Sequence, residues 1–437
     1  MRFTGPTFQN ILRLRCFVLS LVLLTASLSA CKTSAEEDLT PQNDTNTQKV
    51  ITSPENESSE SDEEPAQDEN KGEDPNAGNA GQTQQPTTQQ PATPQPSTPA
   101  KETSNTPGNQ TASSLKSSFD FPIGVAVVKE RLEEGVYANI VKKEFSRIGA
   151  ESNFKFKSTH PEKNKYTFNK ADAIVSFAQQ NNMAVHGHCL IWAKDSTMPS
   201  WLLNDKGDAQ EFDRILKNHI STLLTHFRGK VSSWDVVNEA VADDGTLKDN
   251  IWLRKLGAGY ILKAFKYAQE VDPTVKLFYN DYGQEFGGKK MNKIMAIIAE
   301  AKQQGIKIDG MGFQLHTVLR IDVNKIKTNM ALAASKGLLI HVSEFDVSLK
   351  YGQPKTFVLT KALEKAQGEK VKEIVQGYMK SVPKNLQFGI TTWGLGDKDS
   401  FFNKGYANYD HDYPLLFDRN YNPKDAYRGF LEASLSK

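Results

Sequence analysis

From Phe119 to Lys437 short apolar runs alternate with longer amphipathic segments, and no other feature of the chain restricts its fold as strongly. Strands are expected over residues 121–128, 148–156, 183–192, 231–239, 275–282, 308–316, 338–345 and 388–395. Helical patterns lie between them. In 212–227 apolar residues recur at Phe212, Ile215, Leu216, Ile220, Leu223, Leu224 and Phe227, the three-to-four spacing of one helix face. A second pattern covers 253–271 and stops before Asp272-Pro273, where proline cannot continue it. Strands separated by helix-length segments make βαβ units and a parallel sheet. Repeated this often in one stretch they predict a (β/α)8 TIM barrel, which takes ~250 residues or more. The competing doubly wound sheet announces itself by a glycine-rich phosphate loop after its first strand, and none follows Val128.

Before residue 119 the chain is a different material. Arg2, Arg13 and Arg15 precede an apolar run over 16–28, too short for the ~20 residues of a spanning helix, and residues 1–30 read as a signal peptide. The run ends Leu28-Ser29-Ala30-Cys31, which resembles the lipobox of bacterial lipoproteins and implies lipidation at Cys31, hence an exported chain held to a membrane by a lipid anchor. Residues 31–118 are rich in Ser, Thr, Pro and Gln, with acidic clusters such as Glu60-Ser61-Asp62-Glu63-Glu64 and no aromatic side chain. Such a segment cannot bury enough apolar surface to offset its ordering entropy, so a disordered tether with an end-to-end reach of ~50 Å is expected. Of the three cysteines, Cys16 lies in the signal and Cys31 carries the lipid, which leaves Cys189 alone and excludes a disulfide framework or a zinc motif. The net charge of +1 and the lack of any basic-aromatic motif give no reason to expect a nucleic-acid partner, and a monomer is expected.

The polar residues fall where a barrel enzyme needs them. WDVVNEA, residues 234–240, is an apolar strand ending in Asn238 and Glu239; HVSEFD, residues 341–346, carries Glu344 and Asp346. A carboxylate at the end of a hydrophobic strand has to be paired, hydrogen-bonded or catalytic. For one such glutamate a buried ion pair or a strand cap explains as much; two on parallel strands point to acid–base chemistry across a shared cleft. The other expected strand ends carry Glu151, Asn153 and Lys155; His186, His188 and Trp192; Asn280 and Asp281; Gln314 and His316; Trp393 and Asp397. Taken singly, His188 reads as a satisfied core histidine, and the Asn280-Asp281-Tyr282 run is explained equally well by a turn and cap. Their common place at the carboxyl ends of strands, where this fold gathers its catalytic groups, changes the reading. Tryptophans on that rim suit the C–H face of a sugar ring.

These motifs resemble glycoside hydrolase family 10, the xylanase family of (β/α)8 barrels, through most of residues 119–437. WDVVNEA is similar to the family's acid/base strand and HVSEFD to its nucleophile segment. NDY at 280–282, GFQLH at 312–316, TTWGLGDKDS at 391–400, PLLFD at 414–418 and GHCLIW at 187–192 followed by MPSWL fall in family order. The resemblance implies double displacement at a glycosidic bond, with Glu344 as nucleophile and Glu239 as acid and then base. Asn238, His316 and Asp346 support them; Glu151, Lys155, His188, Trp192, Asn280, Gln314 and Trp393 contact sugar; no metal or organic cofactor is called for. Burial and the like charge of Glu344 are expected to keep Glu239 protonated near neutral pH.

The chain departs from the family at Ser152, at Ala193 and Asp195 after Trp192, at Leu315, and at Phe401 in place of a tryptophan. The losses gather on the glycone side, and a lost sugar hydrogen bond costs ~1–3 kcal/mol. Three functions stay in view: an endo-acting β-1,4-xylanase, a glycosidase of the same family acting on another β-linked glycan, and a surface carbohydrate-binding protein without turnover.

Overall fold

The computed structural model describes residues 114–354, 356–403 and 411–436. The expected signal peptide, Cys31 and the linker as far as residue 113 lie outside the described residues. The strands are β1 (Ile123–Val127), β2 (Arg147–Ala150), β3 (Ala184–Trp192), β4 (Ser233–Asn238), β5 (Lys276–Asp281), β6 (Gly310–Phe313), β7 (His316–Val318), β8 (Leu339–Ser348) and β9 (Gln387–Thr392). All neighbours are parallel, β1 pairs with β9, and β6 pairs with β8, so the sheet closes on itself. β6 and β7 are two halves of one barrel position, broken at Gln314 and Leu315, where Leu315 turns at φ +59°. The result is the expected (β/α)8 TIM barrel.

Burial explains why these segments are strands. Every residue of β4 is buried, and the indole of Trp234 packs edge-on against Phe154 at 5.3 Å and lies 6.0 Å from Phe227. A buried indole of this size contributes roughly 4–6 kcal/mol of apolar transfer. Glycine faces it at position 187 because a Cβ there would meet the indole at 2.2 Å. The helix Ala209–His226 lays its apolar stripe from Phe212 to Leu224 on the barrel. Its N-terminus is capped by Asp208, whose carboxylate accepts from the Glu211 N–H at 2.9 Å.

Two expected elements differ, and one pair of residues is placed differently. The strand over 148–156 ends at Ala150, since β1 offers no partner beyond Val127; Glu151 still donates its N–H to Val127 O at 2.9 Å, and the chain then turns into a short helix, Phe156–Thr159. The helix over 253–271 is two helices, Ile251–Leu256 and Tyr260–Val271, separated where Gly257 takes φ +68°. His186 and His188 lie inside β3, not at its end. Both approach Asp235 Oδ2, at 3.0 and 2.9 Å, in the barrel interior.

Candidate active site

Glu239 is the first residue past β4 and sits at φ +58°, a left-handed turn that costs a non-glycine residue ~1–2 kcal/mol. Its N–H still donates to Asn280 O at 2.9 Å, so strand pairing continues through the turn and holds it. Glu344 lies within β8 and donates its N–H to Gln314 O at 3.0 Å. Only 3% of Glu239 and 4% of Glu344 is exposed, so both carboxylates depend on protein partners for solvation.

Those partners form a connected chain of amides. Asn280 Nδ2 donates to Glu344 Oε1 and to Asn238 Oδ1, each at 2.9 Å, and its own carbonyl accepts from Ser343 Oγ at 2.6 Å, which fixes the orientation of the amide. Gln314 Nε2 donates to Glu239 Oε1 at 3.0 Å and to Asn238 Oδ1 at 3.3 Å, and Asn238 Nδ2 donates to Glu239 Oε1 at 3.2 Å. The break between β6 and β7 serves this network: it lets Gln314 and His316 both reach the cleft. Gly312 beside it makes room, because a Cβ there would lie 2.1 Å from Asn280 Oδ1.

Behind Glu344 stands His316, with Nδ1 2.7 Å from Asp346 Oδ2 and Nε2 3.3 Å from Glu344 Oε2. Burial works against a charge on the ring, but Asp346 and Glu344 outweigh it and raise the pKa to about 10. His316 is therefore an imidazolium at neutral pH and donates from both nitrogens. Glu239 has the opposite surroundings from those expected. Burial does oppose its ionisation, yet the ammonium of Lys248, the amide of Gln314, the indole N–H of Trp192 and the charge of Lys290 overcome it and hold the carboxyl down at about 2. Cations on neighbouring segments thus hold the Glu239 carboxyl below the usual carboxylate range in the free protein.

The walls are aromatic. Lys155 Nζ lies 4.4 Å from the Trp192 ring centre and 5.8 Å from that of Trp393. His188, besides bonding Asp235, meets Trp393 edge-on at 5.2 Å, so it buttresses the wall from below. Phe401 packs on the His316 ring at 4.7 Å. Glu151 lines a cavity of about 140 Å³ together with Ala126, Val128, Arg131, Tyr137 and Asp399. Asp195 is turned to the scaffold: its carboxylate accepts from Ile251 N at 2.7 Å and pairs with Arg254. Asp397 is likewise structural, in a buried pair with Lys424 at 3.0 Å. The structure places Asn238, Glu239, Asn280, Gln314, His316, Glu344 and Asp346 in one connected cluster, joined by Lys248 and Ser343, which the sequence reading did not name. The Asp-Gly at 244–245 is the signal that could have found Lys248, since a tight hairpin there returns the chain to the rim.

The family model for glycosyl hydrolase family 10 matches residues 111–433. Endo-beta-1,4-xylanase Xyn10C of Cellvibrio japonicus is 35% identical over 72% of this chain, which spans 56% of that protein's length. Endo-1,4-beta-xylanase B of Thermotoga neapolitana is 38% identical over 68% of this chain and 82% of its own. Among solved structures, xylanase 10B from Thermotoga petrophila in complex with xylobiose superposes with a TM-score of 0.70 at 32% identity, covering 75% of this chain and 99% of that one.

Proposed function

The chain belongs to glycosyl hydrolase family 10 and is a glycosidase, and on that premise we propose that it cleaves internal β-1,4 linkages of xylan by double displacement. The observation that carries this reading is the pair of buried carboxylates joined through the amides of Asn238, Asn280 and Gln314, with the His316 imidazolium behind one of them. Glu239 takes up a proton from solvent as substrate binds and gives it to the leaving oxygen while Glu344 attacks the anomeric carbon; Glu239 then takes a proton from the incoming water, and the covalent bond to Glu344 breaks. His316, charged throughout, and Asn280 keep the Glu344 oxygens oriented. Asn238 is suited to the 2-hydroxyl of the reacting sugar, where a hydrogen bond that strengthens in the transition state adds rate. Trp192, Trp393 and Lys155 bound the glycone side, with His188 supporting Trp393 and Glu151 further out. The chemistry calls for no metal or organic cofactor, and the enzyme acts as a monomer.

A second reading, the same chemistry on another β-linked glycan, is favoured by one observation: Asp195 stands where the family carries a sugar-facing glutamine, and it is tied to Ile251 and Arg254 instead. A hydrolysis screen of the full chain on xylan and other β-linked polysaccharides, with product sizes and product anomers followed by NMR, separates the two. Internal cleavage of xylan with the β-anomer formed first is expected; cleavage confined to another glycan selects the second reading, and binding without cleavage on every glycan rejects both. We further propose export and anchoring through a lipid on Cys31. The wild-type chain should partition into detergent and Cys31→Ala should not, since several acyl chains on one cysteine anchor stably and their loss removes the anchor. A wild-type protein recovered wholly in the aqueous phase would rule the anchor out.

A further inference from the structure

The two-step reaction asks Glu239 to be neutral in one step and charged in the next, and the structure holds a cation against it. Lys248 Nζ lies 3.6 Å from Glu239 Oε2. Its place is fixed from three sides. The ammonium donates to Tyr282 OH at 2.9 Å and stands 4.4 Å from the centre of the Tyr282 ring. The Lys248 N–H donates to Ala240 O at 3.0 Å, which, with the bridge between Val241 and Leu247, folds the hairpin back over the carboxylate. Tyr282 is held in turn by Lys290, 3.8 Å from the ring centre, and Lys290 itself pairs with Asp281 at 3.0 Å and Asp243 at 3.4 Å.

Other described groups near Glu239 include Trp192 and Cys189 of β3, Asn238 of its own strand, Asp281 and Tyr282 at the end of β5, Gln314 at the β6–β7 break and Glu344 of β8. Lys290 is shared between Asp281 and Asp243, whereas Lys248 pairs with Glu239 at 3.6 Å.

Resting on the double-displacement reading above, we propose that Lys248 is a positioning residue for Glu239: it ties the carboxylate to the hairpin in the charged, water-activating form and thereby sets the pH above which the proton-requiring first step fails. The second step benefits from the ion pair, because a carboxylate is the base it needs. The first step works against it. The pair therefore divides the pH range between the two halves of the reaction.

The test is the pH dependence of kcat/KM, which reports ionisations of the free enzyme, for the full chain on xylotetraose and on 4-nitrophenyl xylobioside. With Lys248→Met the basic limb on xylotetraose should move to higher pH by about one unit or more, the scale of an opposite charge removed from within ~4–6 Å. Lys248→Arg should keep the wild-type limb, and on the aryl substrate, whose leaving group needs no proton, the displacement should shrink. Lys248→Gln carries the same expectations should the methionine variant not fold. A basic limb that stays in place on xylotetraose in the folded neutral variants, or moves equally in the arginine variant, overturns this role alone. A wild type that hydrolyses neither substrate overturns the double-displacement reading and this role with it.

Discussion

Glu239 and Glu344 are the same side chain in two environments, and the difference decides what each can do. Glu344 accepts from Asn280 and from the His316 imidazolium; Glu239 faces Lys248 and accepts from Gln314 and Asn238. The variants should therefore fail differently. Glu344→Ala should lose essentially all turnover on every substrate, because the other carboxylate of the pair, Glu239, is assigned to the proton transfers. Glu239→Ala should fall ~10²–10⁴-fold on xylan, the scale of a lost general acid, yet still react once with a substrate bearing a good leaving group. It should then stall, and azide should restore turnover and yield a β-glycosyl azide. Wild-type rates in Glu344→Ala, or no azide effect in Glu239→Ala, would contradict these roles. Much of this was readable in the sequence, since WDVVNEA and HVSEFD display both carboxylates. The ionisation state of Glu239 was not: strand-end burial argues for a proton, and the cation that removes it comes from a hairpin whose return no apolar pattern records.

At the scale of elements the barrel strands were legible because each is a short run of buried residues between turns. The errors came where an apolar pattern runs on after the backbone has changed. Phe154 and Phe156 continue the look of β2, but their rings belong to an aromatic layer outside it, where Phe156 stacks on His219 at 3.8 Å and His160 stacks on Tyr166 at 4.0 Å. That layer has a consequence for stability. Burial lowers the pKa of His160 to about 4; burial and then the neighbouring His160 push His219 well below the ordinary histidine range. Both rings stay neutral when folded and take up protons more readily when unfolded, so their contribution falls away as pH drops below ~6.5 and through about 4. A histidine kept neutral in the native state costs about 2 kcal/mol at pH 5 by this linkage. His219→Phe, which keeps the stack, should recover about that much at pH 5 and little at pH 8, measured by urea unfolding at the two values. An equal gain at both would mean that packing, not protonation, is responsible.

The whole domain is closed by its two ends. Glu144 accepts from the Leu115 N–H and from Tyr427 OH, both at 2.9 Å, while Phe119 meets Phe430 edge-on at 5.4 Å. The C-terminal helix Asp425–Ala433 lies so close to Lys361–Ser381 that a Cβ at Gly429 would reach Gly368 O at 2.0 Å. A chain begun at Ser114 should match the full chain in melting temperature and in kcat/KM. One begun at Ile123 loses the buried Leu115, Phe119 and Phe121 and should be destabilised by roughly 3 kcal/mol or more; equal melting temperatures for the two would show that this clasp adds nothing. In the double-displacement reading proposed above this scaffold holds two carboxylates on one anomeric centre, and the covalent intermediate tests that most directly. A 2-deoxy-2-fluoro-xylobioside with a good leaving group should inactivate the full chain, and peptide mass spectrometry should find the fluorosugar on Glu344. A label on any other residue, or turnover of the fluorosugar with the opposite anomer released and no adduct, would contradict it.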